Sequence, residues 1–146
     1  MSIIFSRKCE YGIQAVLYLS SLPAGQTTNA EGIAGELSIP KEFVSKILQE
    51  LTSSGIIESK KGKNGGFLLK RKPSELKLIE IVDAIDGKEI FSNCVLGFPN
   101  CSNDYPCPVH ETWSKISGET YAMLDKETID TFLLLVKRKI GSIKHD

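Results

Sequence analysis

The sequence predicts a mainly α-helical fold class with a small β-hairpin. Two short helical patterns are joined by a tight connector at Pro40, a basic glycine-tipped hairpin follows at once, and helical spacing resumes after a cysteine- and proline-bearing loop. These observations predict a winged helix-turn-helix followed by a long C-terminal dimerisation helix. A chain of 146 residues, 41% hydrophobic and 25% charged, supports one core with a helical appendage and excludes a large two-domain enzyme.

The first helix is expected after Ser6, where Tyr11, Ala15, Val16, Tyr18, Leu19 and Leu22 recur at helical spacing until Pro23 and Gly25 end the pattern. Thr28 and Glu31 are spaced as a capping box, with the hydroxyl satisfying one orphan amide and the carboxylate another, so Thr28 is expected to cap a short second helix carrying Ile33, Ala34 and Leu37. Pro40 suits the first turn of a third helix, where its missing amide hydrogen costs nothing. That helix has an apolar stripe of Phe43, Ile47, Leu48 and Leu51 with Val44 at its edge, and Gly55 is placed to end it. Its other face presents Lys41, Glu42, Ser45, Lys46 and Gln49, long polar side chains of the kind that reach base edges in a major groove.

Ile56 to Ser59 and Phe67 to Leu69 read as two strands around a turn of Lys61, Gly62, Lys63, Asn64, Gly65 and Gly66. The tip and flanks of this wing carry Lys60, Lys61, Lys63, Lys70, Arg71 and Lys72 against Glu58 alone, and its glycines suit close approach to a phosphate or a minor groove. A net charge of zero conceals an asymmetry. Residues 1–72 hold ten Lys and Arg against six Glu, a net of +4, and residues 73–146 hold eight against twelve acids, a net of −4. One half therefore suits a polyanion. The lysines of the wing, with Asn64, Gly65 and Gly66, are expected on phosphates, and Ser45, Lys46 and Gln49 on bases, with Lys41 and Glu42 nearby. The expected partner is a double-stranded DNA operator.

Leu78, Ile81, Val82 and Ile85 predict a short fourth helix, capped at Gly87 and packed beneath the wing. After Ile90 and Phe91 the chain turns irregular for nearly twenty residues, with Gly97, Pro99, Pro106 and Pro108 breaking regular structure. A loop of that length in a small domain points to function. It holds Cys94, Cys101 and Cys107, separated by six and five residues, with His110 close behind. Soft thiolates gathered on one loop suit zinc or an iron-sulfur cluster, and Cys3His donors with His110 as fourth ligand serve either. Residue chemistry leaves the two open, beside a redox-sensing thiol set without metal. Trp113, Ile116, Thr120 and Leu124, then Ile129, Phe132, Leu133, Val136 and Ile140, predict a long helical stretch. Its two apolar stripes exceed what a small domain buries alone, so a homodimer is expected.

This division places a DNA-binding domain at 1–90, with its first helix also contributing to the dimer, a sensor loop at 91–109 and a dimerisation region at 110–146. Ile3, Ile4 and Phe5 make too short an apolar patch ahead of Arg7 and Lys8 for a membrane segment, and no later run reaches the roughly 20 apolar residues that a span needs. A cytoplasmic protein away from membranes is expected. Neither a nucleophile-base pair, a phosphate loop nor a paired-carboxylate motif occurs, and two histidines are present in all, so no enzyme is expected.

Together, Ser6 to Leu19, Ile33-Ala34 with Ser38-Ile39-Pro40, the Gly-Gly wing from Lys61 to Phe67, and Ile79 to Gly87 before the cysteine loop resemble the Rrf2 family of bacterial transcription regulators, over almost the whole chain. The family includes the IscR, NsrR and CymR branches. The resemblance implies a dimeric winged-helix repressor that binds an operator and, in members with three cysteines, an iron-sulfur cluster sensing iron supply, redox state or nitric oxide. Cys94, Cys101 and Cys107 match the family's ligand cysteines, although the first interval is one residue longer than in the best-known members. His110 stands where the IscR branch has its histidine ligand, which favours a two-iron two-sulfur (2Fe-2S) cluster. The NsrR branch implies instead a four-iron (4Fe-4S) cluster with a fourth ligand from the start of the partner's first helix, where Cys9 and Glu10 lie here. The competing expectation is a winged-helix repressor without a cluster, regulated by a protein partner or thiol oxidation, or carrying a structural zinc.

Overall fold

In the computed structural model, residues 4–132 and Leu135 are described. Helix α1 (Arg7–Ser21) opens at Ser6, whose hydroxyl accepts from the Cys9 amide at 3.0 Å. Asp86 receives both the backbone amide of Ser6, at 2.8 Å, and its hydroxyl, at 2.5 Å. A carboxylate thus sits at the positive end of the α1 dipole while joining two elements eighty residues apart.

Helices α2 (Ala30–Leu37) and α3 (Lys41–Ser53) form the helix-turn-helix. Ser38 turns the chain in the left-handed region, at φ 55°, and its backbone amide closes on the Ala34 carbonyl. Pro40 lies one residue before α3 and caps it through its carbonyl, which accepts from Phe43 and Val44. The buried stripe of α3 is Val44, Ile47, Leu48 and Leu51, a clean i, i+3, i+4, i+7 series. Phe43, expected in that stripe, lies instead at its rim, 37% exposed and edge-on to Tyr11 with ring centres 5.4 Å apart.

The hairpin pairs β1 (Ile57–Lys60) with β2 (Gly66–Leu69), antiparallel, Ile57 opposite Leu69 and Lys60 opposite Gly66. A third segment joins it. The amide and carbonyl of Thr28 exchange hydrogen bonds with those of Phe67, at 3.1 and 2.8 Å. This pairing corrects the expected cap. With Thr28 held against the wing, Asn29 becomes the N-cap of α2 and accepts from the Gly32 amide at 2.7 Å, while Glu31 turns away to Lys41. It also explains Gly66: its φ is +146°, and a Cβ there would lie 2.7 Å from the Thr28 carbonyl oxygen.

Helix α4 (Leu78–Ile85) buries Ile79, Ile81 and Val82 and packs on α1, α3 and the last helix, not beneath the wing as its position in sequence suggests. Helix α5 (His110–Lys126) turns Trp113, Ser117, Tyr121 and Leu124 inward, and Ser117 and Leu124 are fully buried. Ile116, expected on that face, is 46% exposed. The predicted long helix is also interrupted. Glu127 is extended, Thr128 bridges Lys77, and the Ile129 amide donates to Leu76 at 2.9 Å before a 3-10 turn over Ile129–Phe132. Ile129 is fully buried in the same core as Ile33, Leu51 and Ile81. Leu133, Val136 and Ile140 of the expected stripe lie outside the described residues.

Candidate metal centre and nucleic-acid interface

The chain leaves α4 through Gly87, at φ +81°, makes a 3-10 turn over Lys88–Phe91 and enters the irregular loop. Helix α5 holds the start of that loop in three ways. The Trp113 indole donates to the Asn93 carbonyl at 2.9 Å, the buried Ser117 hydroxyl donates to the Phe91 carbonyl, and the Phe91 ring meets Tyr121 edge-on at 5.3 Å.

Within the loop the sulfurs of Cys94, Cys101 and Cys107 all lie within 4.8 Å of one another, and Cys94 Sγ and Cys107 Sγ are 3.6 Å apart. None of the four cysteines is in a disulfide. Cys94 starts a turn in which the Gly97 amide returns to the Cys94 carbonyl at 3.0 Å, with Gly97 at φ +86°. Partial burial raises the Cys94 pKa, but the amides of Leu96 and Phe98 aim at its sulfur and, with the neighbouring thiols, bring it below the ordinary thiol value. For Cys107 the balance is opposite. Burial and the adjacent Cys101 and Cys94 raise its pKa despite an amide bond from Val109. Cys101 Sγ accepts from the Cys107 amide at 3.4 Å and meets His110 Nδ1 at 3.1 Å. His110 is the first residue of α5, and its other nitrogen, Nε2, lies 2.9 Å from Asn103 Oδ1. Asn103 was not visible as a site residue in the sequence, since an Asn in a polar loop carries no spacing signal.

Cys9 and Glu10 stand apart from this cluster. Cys9 is fully buried with Ile79, Val82 and Leu124 of its own chain, and burial first, then the charge of Asp86 and a hydrogen bond to it, push its pKa up to about 12. Glu10 is half-buried on α1, beside Arg7 at 3.9 Å.

Lys41, Glu42, Ser45, Lys46 and Gln49 are all exposed on α3. Lys41 is tied to Glu31 at 2.8 Å, and that contact holds the Glu31 carboxyl below its ordinary value. Ser45 and Gln49 border a groove of about 620 Å³ between α3 and the hairpin, lined also by Thr52, Ser59 and Phe67. Thr52 and Ser59 escaped the sequence reading, although Thr52 follows Ser45 and Gln49 at helical spacing. Lys60, Lys61, Lys63 and Asn64 are exposed at the wing, and Gly65 and Gly66 are half-buried behind them. The tip is pinned by the Thr27 hydroxyl, which donates to the Asn64 carbonyl at 2.9 Å. Among the described residues, none of the ion pairs includes Lys60, Lys61 or Lys63. Arg71, counted with the wing's charge in sequence, is internal instead: it pairs with Glu80 and donates to the Glu75 carbonyl at 2.6 Å.

Comparison with known proteins places this arrangement. Residues 5–133 match the Rrf2 family, described as an iron-dependent transcriptional regulator. A protein of Aquifex aeolicus (strain VF5), assigned as an HTH-type transcriptional regulator, is 28% identical over 140 residues, covering 94% of this chain and 96% of that protein. The fold is that of CymR, the global cysteine regulator of B. subtilis, with a TM-score of 0.75 at 20% identity over 90% of this chain and 96% of CymR. It is also that of T. potens IscR, with a TM-score of 0.69 at 22% identity over 88% and 84% of the two chains. These relatives are regulators rather than enzymes, in keeping with the lack of a catalytic motif in the sequence. Among the described residues no helix is long and apolar enough to cross a membrane. From the family match across nearly its whole length, the chain belongs to the Rrf2 family of DNA-binding transcriptional regulators.

Proposed function

We propose that this regulator is a cytoplasmic homodimeric repressor whose operator affinity is set by an iron-sulfur cluster on Cys94, Cys101 and Cys107, with His110 as fourth ligand. The observation that carries the metal centre is the gathering of three sulfurs within 4.8 Å, with a histidine nitrogen 3.1 Å from one of them. The donor set fits. Thiolates and an imidazole are the ligands that iron and zinc take, and the Cys94 sulfur is already met by two backbone amides that favour its ionised form. The iron-dependent description of the family and the 2Fe-2S precedent of the IscR branch favour a cluster. When bound, such a centre supplies a charge and coordination state that follow iron supply, redox state or nitric oxide.

The chain's own residues connect that centre to DNA reading. Trp113 and Ser117 bind the loop to α5, the 3-10 turn ties it to α4, and α4 packs on α1 and α3. Reordering the cysteine loop shifts α5 against α4 and changes the spacing of the two α3 helices in a dimer, and a coupling of this kind alters operator affinity. Residues 1–90 then act as reader, 91–109 as sensor and 110–146 as dimer contact. Ile116 and Met123, at 46% and 57% exposed on the outer side of α5, are side chains that a second copy would cover. Half-sites are expected about one helical turn, roughly 34 Å, apart. Lys46 with Ser45 and Gln49 faces bases, flanked by Lys41 and Glu42, and Lys60, Lys61, Lys63 with Asn64, Gly65 and Gly66 faces phosphates.

One observation favours a second reading, a structural zinc. Four ligands around one tetrahedral ion place every pair of thiolate sulfurs about 3.8 Å apart, and all three sulfurs here lie within 4.8 Å of one another. A cluster asks the same donors to spread across two irons. Anaerobic purification with iron, sulfide and zinc analysis and an absorbance spectrum tests both. Equimolar iron and sulfide with visible absorbance supports the cluster; a colourless protein with one zinc per chain supports the second reading. A chain that takes up neither leaves thiol oxidation or a protein partner as the regulator.

A further inference from the structure

A histidine ligates a metal through a ring nitrogen that carries a free lone pair, and in the neutral ring only one of the two does. The hydrogen bond made by the other nitrogen decides which. Here Nε2 is 2.9 Å from the side-chain carbonyl oxygen of Asn103, and Nδ1 is 3.1 Å from Cys101 Sγ. A carbonyl oxygen can only accept, so in the neutral ring this contact places the proton on Nε2 and leaves the lone pair on Nδ1, beside Cys101 Sγ. Asn103 lies in a small turn of its own inside the cysteine loop, where the Tyr105 amide donates to the Ser102 hydroxyl at 3.3 Å and the Ser102 amide meets the Tyr105 carbonyl at 3.5 Å. The same loop that supplies Cys101 and Cys107 therefore also supplies the residue that orients the histidine.

We propose that Asn103 is the positioning residue of this metal centre: by accepting from His110 Nε2–H it fixes the ring's tautomer and orientation, so that Nδ1 is the ligating nitrogen. The proposal rests on the reading of His110 as fourth ligand. It assigns Asn103 no contact with the metal. Outer partners of ligating histidines of this kind change metal affinity by about 10- to 100-fold when removed.

The test uses the full chain, loaded anaerobically with iron and sulfide or, separately, with zinc, and measures metal loss to a competing chelator. Far-UV circular dichroism verifies that each variant is folded. Asn103→Ala is expected to weaken metal retention by about 10- to 100-fold, and Asn103→Asp, which keeps an acceptor oxygen, is expected to restore it toward wild type. A merely structural loss would not be rescued by the charged replacement. If Asn103→Ala holds metal as tightly as wild type while His110→Ala does not, the positioning role is overturned. The same follows if Asn103→Asp is as weak as Asn103→Ala. A wild-type chain that binds neither metal overturns the reading beneath it, and His110→Ala matching wild type overturns the ligand assignment, two results distinct from failure of Asn103 alone.

Discussion

Neutralising the wing separates charge that reaches outward from charge spent inside the fold. Lys60, Lys61 and Lys63 are exposed and take part in none of the ion pairs among the described residues, whereas Arg71 is held by Glu80 and the Glu75 carbonyl. Each lysine on a phosphate contributes about 0.9 to the slope of log affinity against log salt, so replacing all three by Gln lowers the slope by about 2.7 for each protomer. Between 50 and 200 mM salt, a fourfold span, that difference amounts to about 40-fold: wild-type affinity falls about 40 times further than that of the variant, per wing engaged. The assay is fluorescence anisotropy on a duplex of arbitrary sequence titrated at several KCl concentrations, because the contacts in question do not read bases. Arg71→Gln serves as the internal comparison, with an unchanged slope and a stability loss of about 1 kcal/mol for a half-exposed pair. Ser45→Ala and Gln49→Ala should alter preference among sequences and leave the slope alone. A triple lysine variant with the wild-type slope, or an Arg71 variant that shows the loss instead, would refute the division of charge.

Two further outcomes follow from the packing. Gly66→Ala places a Cβ against the Thr28 backbone, which cannot swing aside as a side chain can, at a φ of +146°; a loss of about 2 kcal/mol or more is expected, visible as a thermal midpoint lowered by about 5 °C, and an unchanged midpoint would contradict it. Cys9, with its pKa pushed up from 9.0 to about 12, is expected to resist iodoacetamide at pH 8 in the folded metal-free chain while the loop cysteines label, read by mass spectrometry. Because the folded pKa is the higher one, its contribution to stability is complete below about pH 9 and is lost as pH rises toward 12, so Cys9→Ala should flatten the alkaline decline. Equal labelling of all four cysteines would defeat that assignment.

The reading head was legible because local rules and tertiary packing agree there. Pro40 and Gly55 flank α3 and the turn after Lys60 separates the two strands, within a residue of where they are expected, and Ile47, Leu48 and Leu51 point inward as their spacing requires. The failures occur where a distant partner decides. Thr28 is a sound cap by its own chemistry, and loses the role only because Phe67, far along the chain, takes its backbone. Ile116, expected on the inner face of α5, is exposed, while Ser117 beside it is buried with its hydroxyl on the Phe91 carbonyl. Ile129 continues a helical stripe in sequence, yet the bridge from Thr128 to Lys77 ends the helix first. In the cysteine loop, the thiols and His110 were legible as reactive types, whereas Asn103 depends on where an irregular backbone carries it, which no periodicity records.

The return of the chain after α5 has a practical consequence for anyone wishing to dismantle this regulator. Ile129 fills the centre of the reading head although it is encoded beyond the cysteine loop and α5. A fragment stopping at the loop would leave an isoleucine-sized hole beneath Leu76, of the kind that costs about 2–5 kcal/mol. The winged helix and the segment that follows it are therefore not exchangeable cassettes. A hybrid that grafts a foreign segment onto this winged helix must bring its own plug for that hole, and a truncated winged helix is better made with a short linker that returns residues 127–132 to their place.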